Sequence, residues 1–134
     1  MPPLSLLCLG PSPALQRVLS FDAPPVLGGV HRATSLSTYV GGKGQGVGLA
    51  LQRWAPGAPT VAQFAGGETG EAVGAMLGAA GVRTLTQRVH AHTRTCTTLV
   101  DPSTPGGTEL IDPSGEVLPE EVDARACVCV DRLD

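Results

Sequence analysis

Large aromatic rings are scarce in this sequence. They make up 3% of its 134 residues, as Trp54, Tyr39, Phe21 and Phe64. A core must therefore rest on small aliphatic packing, for which a hydrophobic content of 42% is sufficient. Charge of one sign is scarce too: nine Lys and Arg stand against twelve Asp and Glu, a net charge of -3. Such a chain has no basic field to attract a polyanion, which argues against nucleic acid as a partner. The apolar stretch at 4–9 (Leu-Ser-Leu-Leu-Cys-Leu) is too short to cross a bilayer, and no basic segment precedes it. It reads as a buried strand, with no membrane partner. Cysteine is limited to positions 8, 96, 127 and 129. One residue between Cys127 and Cys129 is not a zinc-knuckle spacing, so reduced, buried thiols in a cytoplasmic protein are the expectation.

Glycine and proline, by contrast, are abundant, at 18 and 12 residues. They cluster between apolar runs, the pattern of one loop-rich folded domain rather than a disordered chain. After the strand at 4–9, the turn Gly10-Pro11-Ser12-Pro13 leads to an extended segment at 14–21, broken at Pro24-Pro25. Residues 26–40 suit one or two short exposed strands. Val47, Ala50, Leu51 and Trp54 recur at helical spacing, predicting a helix over 44–54 that stops at Pro56-Gly57. A strand at 60–65 follows, then a helix capped by Thr69, with Val73, Met76, Leu77 and Ala80 as its buried stripe and Gly81 as its end. Strands are expected at 82–89, 94–100 and 108–111, the last two as a hairpin. Alternating strands and helices over the first ninety residues give an α/β domain with a mostly parallel sheet, interrupted by extra β layers at 26–40 and 94–111. Ala126–Val130 reads as the start of another buried strand with little chain after it, so truncation is the expectation.

One segment carries chemistry, Gly41-Gly42-Lys43-Gly44-Gln45-Gly46. It is not a Walker A loop, because Lys43 is followed by Gly44 rather than Ser or Thr. It is not a dinucleotide fingerprint, because the sixth position holds Val47 or Leu49. Consecutive glycines let a backbone approach a ligand, and the helix start behind them offers free N–H groups beside the Lys43 cation. A small anion is the ligand these features suit; a flexible loop is the alternative. His90-x-His92 on a strand would share a face as a metal pair does, but no third ligand is near, and exposed histidines explain them as well.

Taken together, Pro13-Ala14-Leu15, Val30-His31-Arg32, Gly41-Gly42-Lys43-Gly44, Gly66-Gly67-Glu68-Thr69-Gly70, Thr93-Arg94-Thr95 and Thr108-Glu109 resemble the N-terminal half of the ribokinase-like (PfkB-type) carbohydrate kinases. The branch of 1-phosphofructokinase and tagatose-6-phosphate kinase is the most similar, and the resemblance covers residues 6–118. It implies a ribokinase-like α/β fold, a parallel sheet with helices on both faces and a small β lid, with lid strands at 26–40 and 94–111. It also implies phosphoryl transfer from ATP to a hexose phosphate with Mg²⁺, and a homodimer through the lid. By position, Gly41, Gly42 and Gly44 would approach the sugar; Lys43 and Arg94 would face its phosphate, with Arg32 and Glu109 on the lid. A solvated surface arginine is the alternative for Arg94 and for Arg32.

Three substrate-facing positions depart from the family pattern. Gln16 stands where an Asp holds a sugar hydroxyl, Gly46 where an Asn is usual, and Cys96 where an Asn is frequent. A carboxylate accepts hydroxyl hydrogen bonds with full charge, whereas an amide accepts more weakly. The family's catalytic Asp in a Gly-rich motif has no counterpart here, so no residue is assigned as catalytic and the chain alone is expected to be inactive. A non-catalytic sugar-phosphate-binding or interaction module is the alternative.

Overall fold

The computed structural model describes residues 4–122. The expected strand at 126–130, with Cys127 and Cys129, lies outside the described residues. Two sheets and two helices make up most of the described residues, with a helical turn at 119–122. β1 (Leu6–Leu9), β4 (Pro59–Ala65) and β5 (Arg83–Arg88) form a parallel sheet in the order β1-β4-β5. β2 (Ala14–Ser20), β3 (Ser35–Gly41), β6 (Arg94–Val100) and β7 (Thr108–Ile111) form a second sheet in the order β3-β2-β6-β7. α1 (Lys43–Trp54) leads into β4, and α2 (Gly67–Ala79) joins β4 to β5.

β4 is the spine of the parallel sheet, paired on both sides and buried along most of its length. Both helices lie against the face carrying Val61, Gln63 and Ala65. A Cβ on Gly48 of α1 would meet Val61 Cγ2, and one on Gly70 of α2 would lie 3.2 Å from Ala65 Cβ. Cys8, Val61, Val73, Leu77 and Val82 form the core, flanked by Leu15, Val40, Leu49 and Leu51. It is small and aliphatic, as the shortage of aromatics requires. Burial raises the pKa of the Cys8 thiol and keeps it protonated.

α2 ends as its sequence dictates. Gly81 takes φ 79°, a left-handed conformation natural to glycine. Its N–H donates to Gly78 O at 2.9 Å, and Val82 N–H donates to Leu77 O at 3.0 Å. That pair is a Schellman motif, and Leu77 and Val82 supply its hydrophobic contact within the core.

Two expectations are corrected. Thr69 does not cap α2; Gly66 holds that position, and Thr69 Oγ1 donates instead to Thr93 O at 2.6 Å. The stripe of α1 is turned. Val47, Ala50 and Trp54 are exposed, Trp54 to 75%, while Gln45 and Gly48 are buried. A glycine at 48 lets the helix settle onto Val61, and Gln45 finds hydrogen-bond partners inside. Residues 26–40 contain one exposed strand, β3, which pairs with β2 across a long loop. His90 and His92 are exposed in the bend between β5 and β6, as the reading of exposed histidines has it. The 94–100 and 108–111 hairpin forms as expected. No helix among the described residues is long and apolar enough to cross a membrane.

Candidate functional site

Sheet register assembles the site. Gly41, Ala14 and Arg94 are paired in one row across β3, β2 and β6. Tyr39, Gln16, Cys96 and Ile111 form a parallel row two residues on, and Ser37, Val18, Thr98 and Glu109 the one beyond it. Paired residues share a face, and so do residues two apart. Gln16, Gly41, Arg94 and Glu109 therefore lie on one side of the sheet. The other side carries Leu15 and Val40, which pack on the core. Four strands thus bring together residues that the sequence could only nominate singly.

α1 begins two residues after Gly41. Gly42 takes φ 109°, a conformation that side chains resist. No side chain caps the helix and no acidic residue occupies its first turn, so its leading N–H groups and positive dipole end keep their full pull on an anion. Lys43 is the first helical residue and is exposed. A Cβ on Gly42 would lie 3.2 Å from Pro13 Cα, so the loop after β1 touches the loop before α1.

Arg94 completes the corner. It borders a cavity of about 290 Å³ shared with Ser12 and Pro13 from the loop after β1, Phe64 from β4, His92 and Ser114. Its Nη1 donates to Ser114 Oγ at 3.2 Å, while its buried Nε has no hydrogen-bond partner among the described residues. A buried guanidinium N–H without an acceptor is costly, and an oxyanion is the acceptor its geometry suits.

The remaining nominated residues are placed as follows. Gln16 Nε2 donates to Thr98 Oγ1 at 2.8 Å, which draws its amide toward the outer end of the sheet. A Cβ on Gly44 would lie 2.5 Å from Gly10 Cα and closer still to the Leu9 carbonyl, so backbone packing alone requires glycine there. Gly46 has open space around it. Arg32 is exposed in the loop between β2 and β3, and Glu109 is exposed on β7. Cys96 is buried beside Gln16. Sequence reasoning missed Ser114, and it missed the burial of Gln45. Its own contrast with the glycines around it was the one available signal for Gln45.

Residues 16–127 match the profile of the pfkB family of carbohydrate kinases. The chain belongs to the pfkB family. No curated protein sequence matches it.

Solved structures share the fold of this pfkB chain. Phosphofructokinase-2 of Escherichia coli in complex with fructose-6-phosphate superposes with a TM-score of 0.82 at 21% identity, over 96% of this chain and 42% of that one. The same enzyme also has a tetrameric inhibited form. A Thermotoga maritima protein described as a possible 1-phosphofructokinase gives 0.80 at 21% identity, over 91% and 39%. Ribokinase of Giardia lamblia gives 0.72 at 22% identity, over 95% and 42%. The chain thus spans about two fifths of the length of these structures.

No group of three or more His, Cys, Asp or Glu among the pfkB chain's described residues is placed to hold a metal ion. Asp101 accepts hydrogen bonds from Ser103 and Thr104 in a turn, and Asp112 accepts from Thr95 N–H at 3.3 Å.

Proposed function

We propose that this pfkB-family chain binds a hexose phosphate at the corner formed by Gly41–Gly44, Arg94 and the loop after β1. The observation that carries the reading is the single row Gly41-Ala14-Arg94, with Lys43 at an uncapped helix start beside it and an unpartnered Nε on Arg94. Arg94 supplies a planar donor edge and Lys43 a point charge, a pairing that suits a phosphate dianion. Gly41 and Gly42 leave the sugar room to approach the backbone, and Gln16 keeps Oε1 as an acceptor for a hydroxyl. The Escherichia coli complex with fructose-6-phosphate supports this class of ligand.

Within a longer relative, this half would present the sugar for phosphoryl transfer from ATP with Mg²⁺. This chain on its own binds without turning over. Asp101 is engaged in a turn and the Asp112 carboxylate accepts from Thr95 N–H, which favours the reading of a sugar-phosphate-binding module. We place it in the cytoplasm, where the buried thiols of Cys8 and Cys96 stay reduced. The four-stranded sheet serves as its lid and as the interface of a homodimer.

Calorimetric titration with fructose 6-phosphate tests the binding. Losing a charged hydrogen bond costs about 1.5–3 kcal/mol, so Lys43→Ala and Arg94→Ala should each weaken affinity tenfold or more. Equal affinity in all three proteins, or no heat from the wild type, sinks the proposal. A coupled assay with ATP and Mg²⁺ should show no turnover, and measurable turnover would overturn the non-catalytic part.

A further inference from the structure

Beneath the proposed site lies a polar contact that sequence patterns do not explain. Gln45, in the first turn of α1, is fully buried. Its Nε2 donates to Gly10 O at 2.7 Å and to Gln63 Oε1 at 3.0 Å. Gln63, also buried, passes the chain on, its Nε2 donating to Thr86 Oγ1 at 3.1 Å. Two acceptors facing one nitrogen fix the orientation of the Gln45 amide. Its Oε1 is then left buried with no partner among the described residues. Buried polar groups are rarely left so, because an unmet acceptor opposes folding.

The position of that amide gives the contact its meaning. A Cβ on Gly10 would lie 2.6 Å from Gln45 Nε2, and one on Gly42 would run into Gln45 Oε1. The amide is therefore wedged between the loop that ends β1 and the loop that starts α1. Those two loops carry Ser12, Pro13, Gly42 and Lys43, so one side chain sets the spacing of both walls of the proposed site. A leucine there would fill similar volume but could not hold Gly10.

We infer that Gln45 is a positioning residue, which acts through Gly10 and Gln63 to lock the 10–13 and 41–44 loops in the geometry that receives the phosphosugar. This inference rests on the hexose-phosphate reading for its ligand, but not for its structural consequence. Gln45→Leu alone strands Gln63 Oε1, so lost stability would confuse the outcome. Gln45→Leu with Gln63→Leu removes both ends of the bond, and replacing both partners by apolar groups of similar shape is nearly neutral for folding.

The test compares wild type, the Gln45→Leu variant and the double variant by thermal melting, by amide hydrogen exchange and by calorimetry with fructose 6-phosphate. The double variant should recover the part of the lost melting temperature that is due to Gln63, while the Gly10 carbonyl stays without its donor. Exchange at Gly10, which donates to Ala62 O, and at Gly46, which donates to Gly42 O, should still be at least tenfold faster than in wild type. The β4 amides should keep wild-type protection, and the affinity for fructose 6-phosphate should fall tenfold or more. Wild-type exchange at Gly10 and Gly46 in the double variant would overturn the inference. If the double variant does not fold, Gln45→Met gives the same comparison with a flexible side chain. If wild type releases no heat with fructose 6-phosphate, the ligand reading fails and the exchange rates alone decide the positioning role.

Discussion

Glycines at 42, 44 and 46 look alike in the sequence, yet each answers to a different demand. Gly42 is required by its backbone, at φ 109°. Gly44 is required by contact, since any Cβ would strike Leu9 and Gly10. Gly46 is required by nothing among the described residues, for no atom lies within 4 Å of where its Cβ would stand. Gly44→Ala should therefore destabilise the chain by about 1–3 kcal/mol, the usual cost of forcing atoms into a filled space. Gly46→Ala sits in a helix at negative φ and should stabilise it by about 0.5–1 kcal/mol, by restricting the unfolded chain. Urea midpoints of the two variants check both signs at once. A destabilised Gly46→Ala would show that the position is crowded.

At the scale of elements, the connection between β6 and β7 is held by one carboxylate. Asp101 Oδ1 accepts from Ser103 Oγ at 2.7 Å, from Ser103 N–H at 2.8 Å and from Thr104 N–H at 3.1 Å. These bonds, the Ser103 hydroxyl foremost, hold its pKa below the ordinary 3.8. A depressed folded pKa contributes stability that is present above the unfolded value and lost as pH falls through the folded one. Asp101→Asn should lower the melting temperature at pH 7, with the gap to wild type closing between about pH 5 and pH 2. A gap unchanged across that range would mean that Asp101 contributes no charge-dependent stability. This hairpin and the end of α2 at Gly81 were legible because their signals are local, in turn residues and β-branched runs. The buried face of α1 was not. Helical spacing fits two phases there, and hydrophobicity selects Val47, Ala50 and Trp54. The phase that wins depends on Gly10 and Gln63, which lie 35 and 18 residues from Gln45. The row joining Gly41 to Arg94 was hidden for the same reason. β2 had to be recognised as the shared centre of the second sheet, in parallel register with a strand far along the chain.

For the whole molecule, the question is which surface a second copy would take. On the side of the four-stranded sheet away from Gln16, Leu36, Leu19 and Leu99 stand in one row, with Leu110 beside them on β7. α2 covers only the near end of that side, at Leu15 and Val40. Farther out, Leu36 is 53% exposed and Leu110 is 55% exposed. A sheet that bares such a row on its open face is a natural place for self-association. β1 offers a rival surface, because it lies at the edge of its sheet and Leu9 is 69% exposed. The two can be told apart by placing charge on each, since an inserted lysine opposes both apolar contact and edge pairing. In sedimentation velocity, the wild type should run as a dimer, and Leu36→Lys with Leu110→Lys should run as a monomer. Leu9→Lys should leave the dimer intact. If instead Leu9→Lys dissociates it and the leucine pair does not, the copies meet along β1, and the four-stranded sheet is left to the ligand alone.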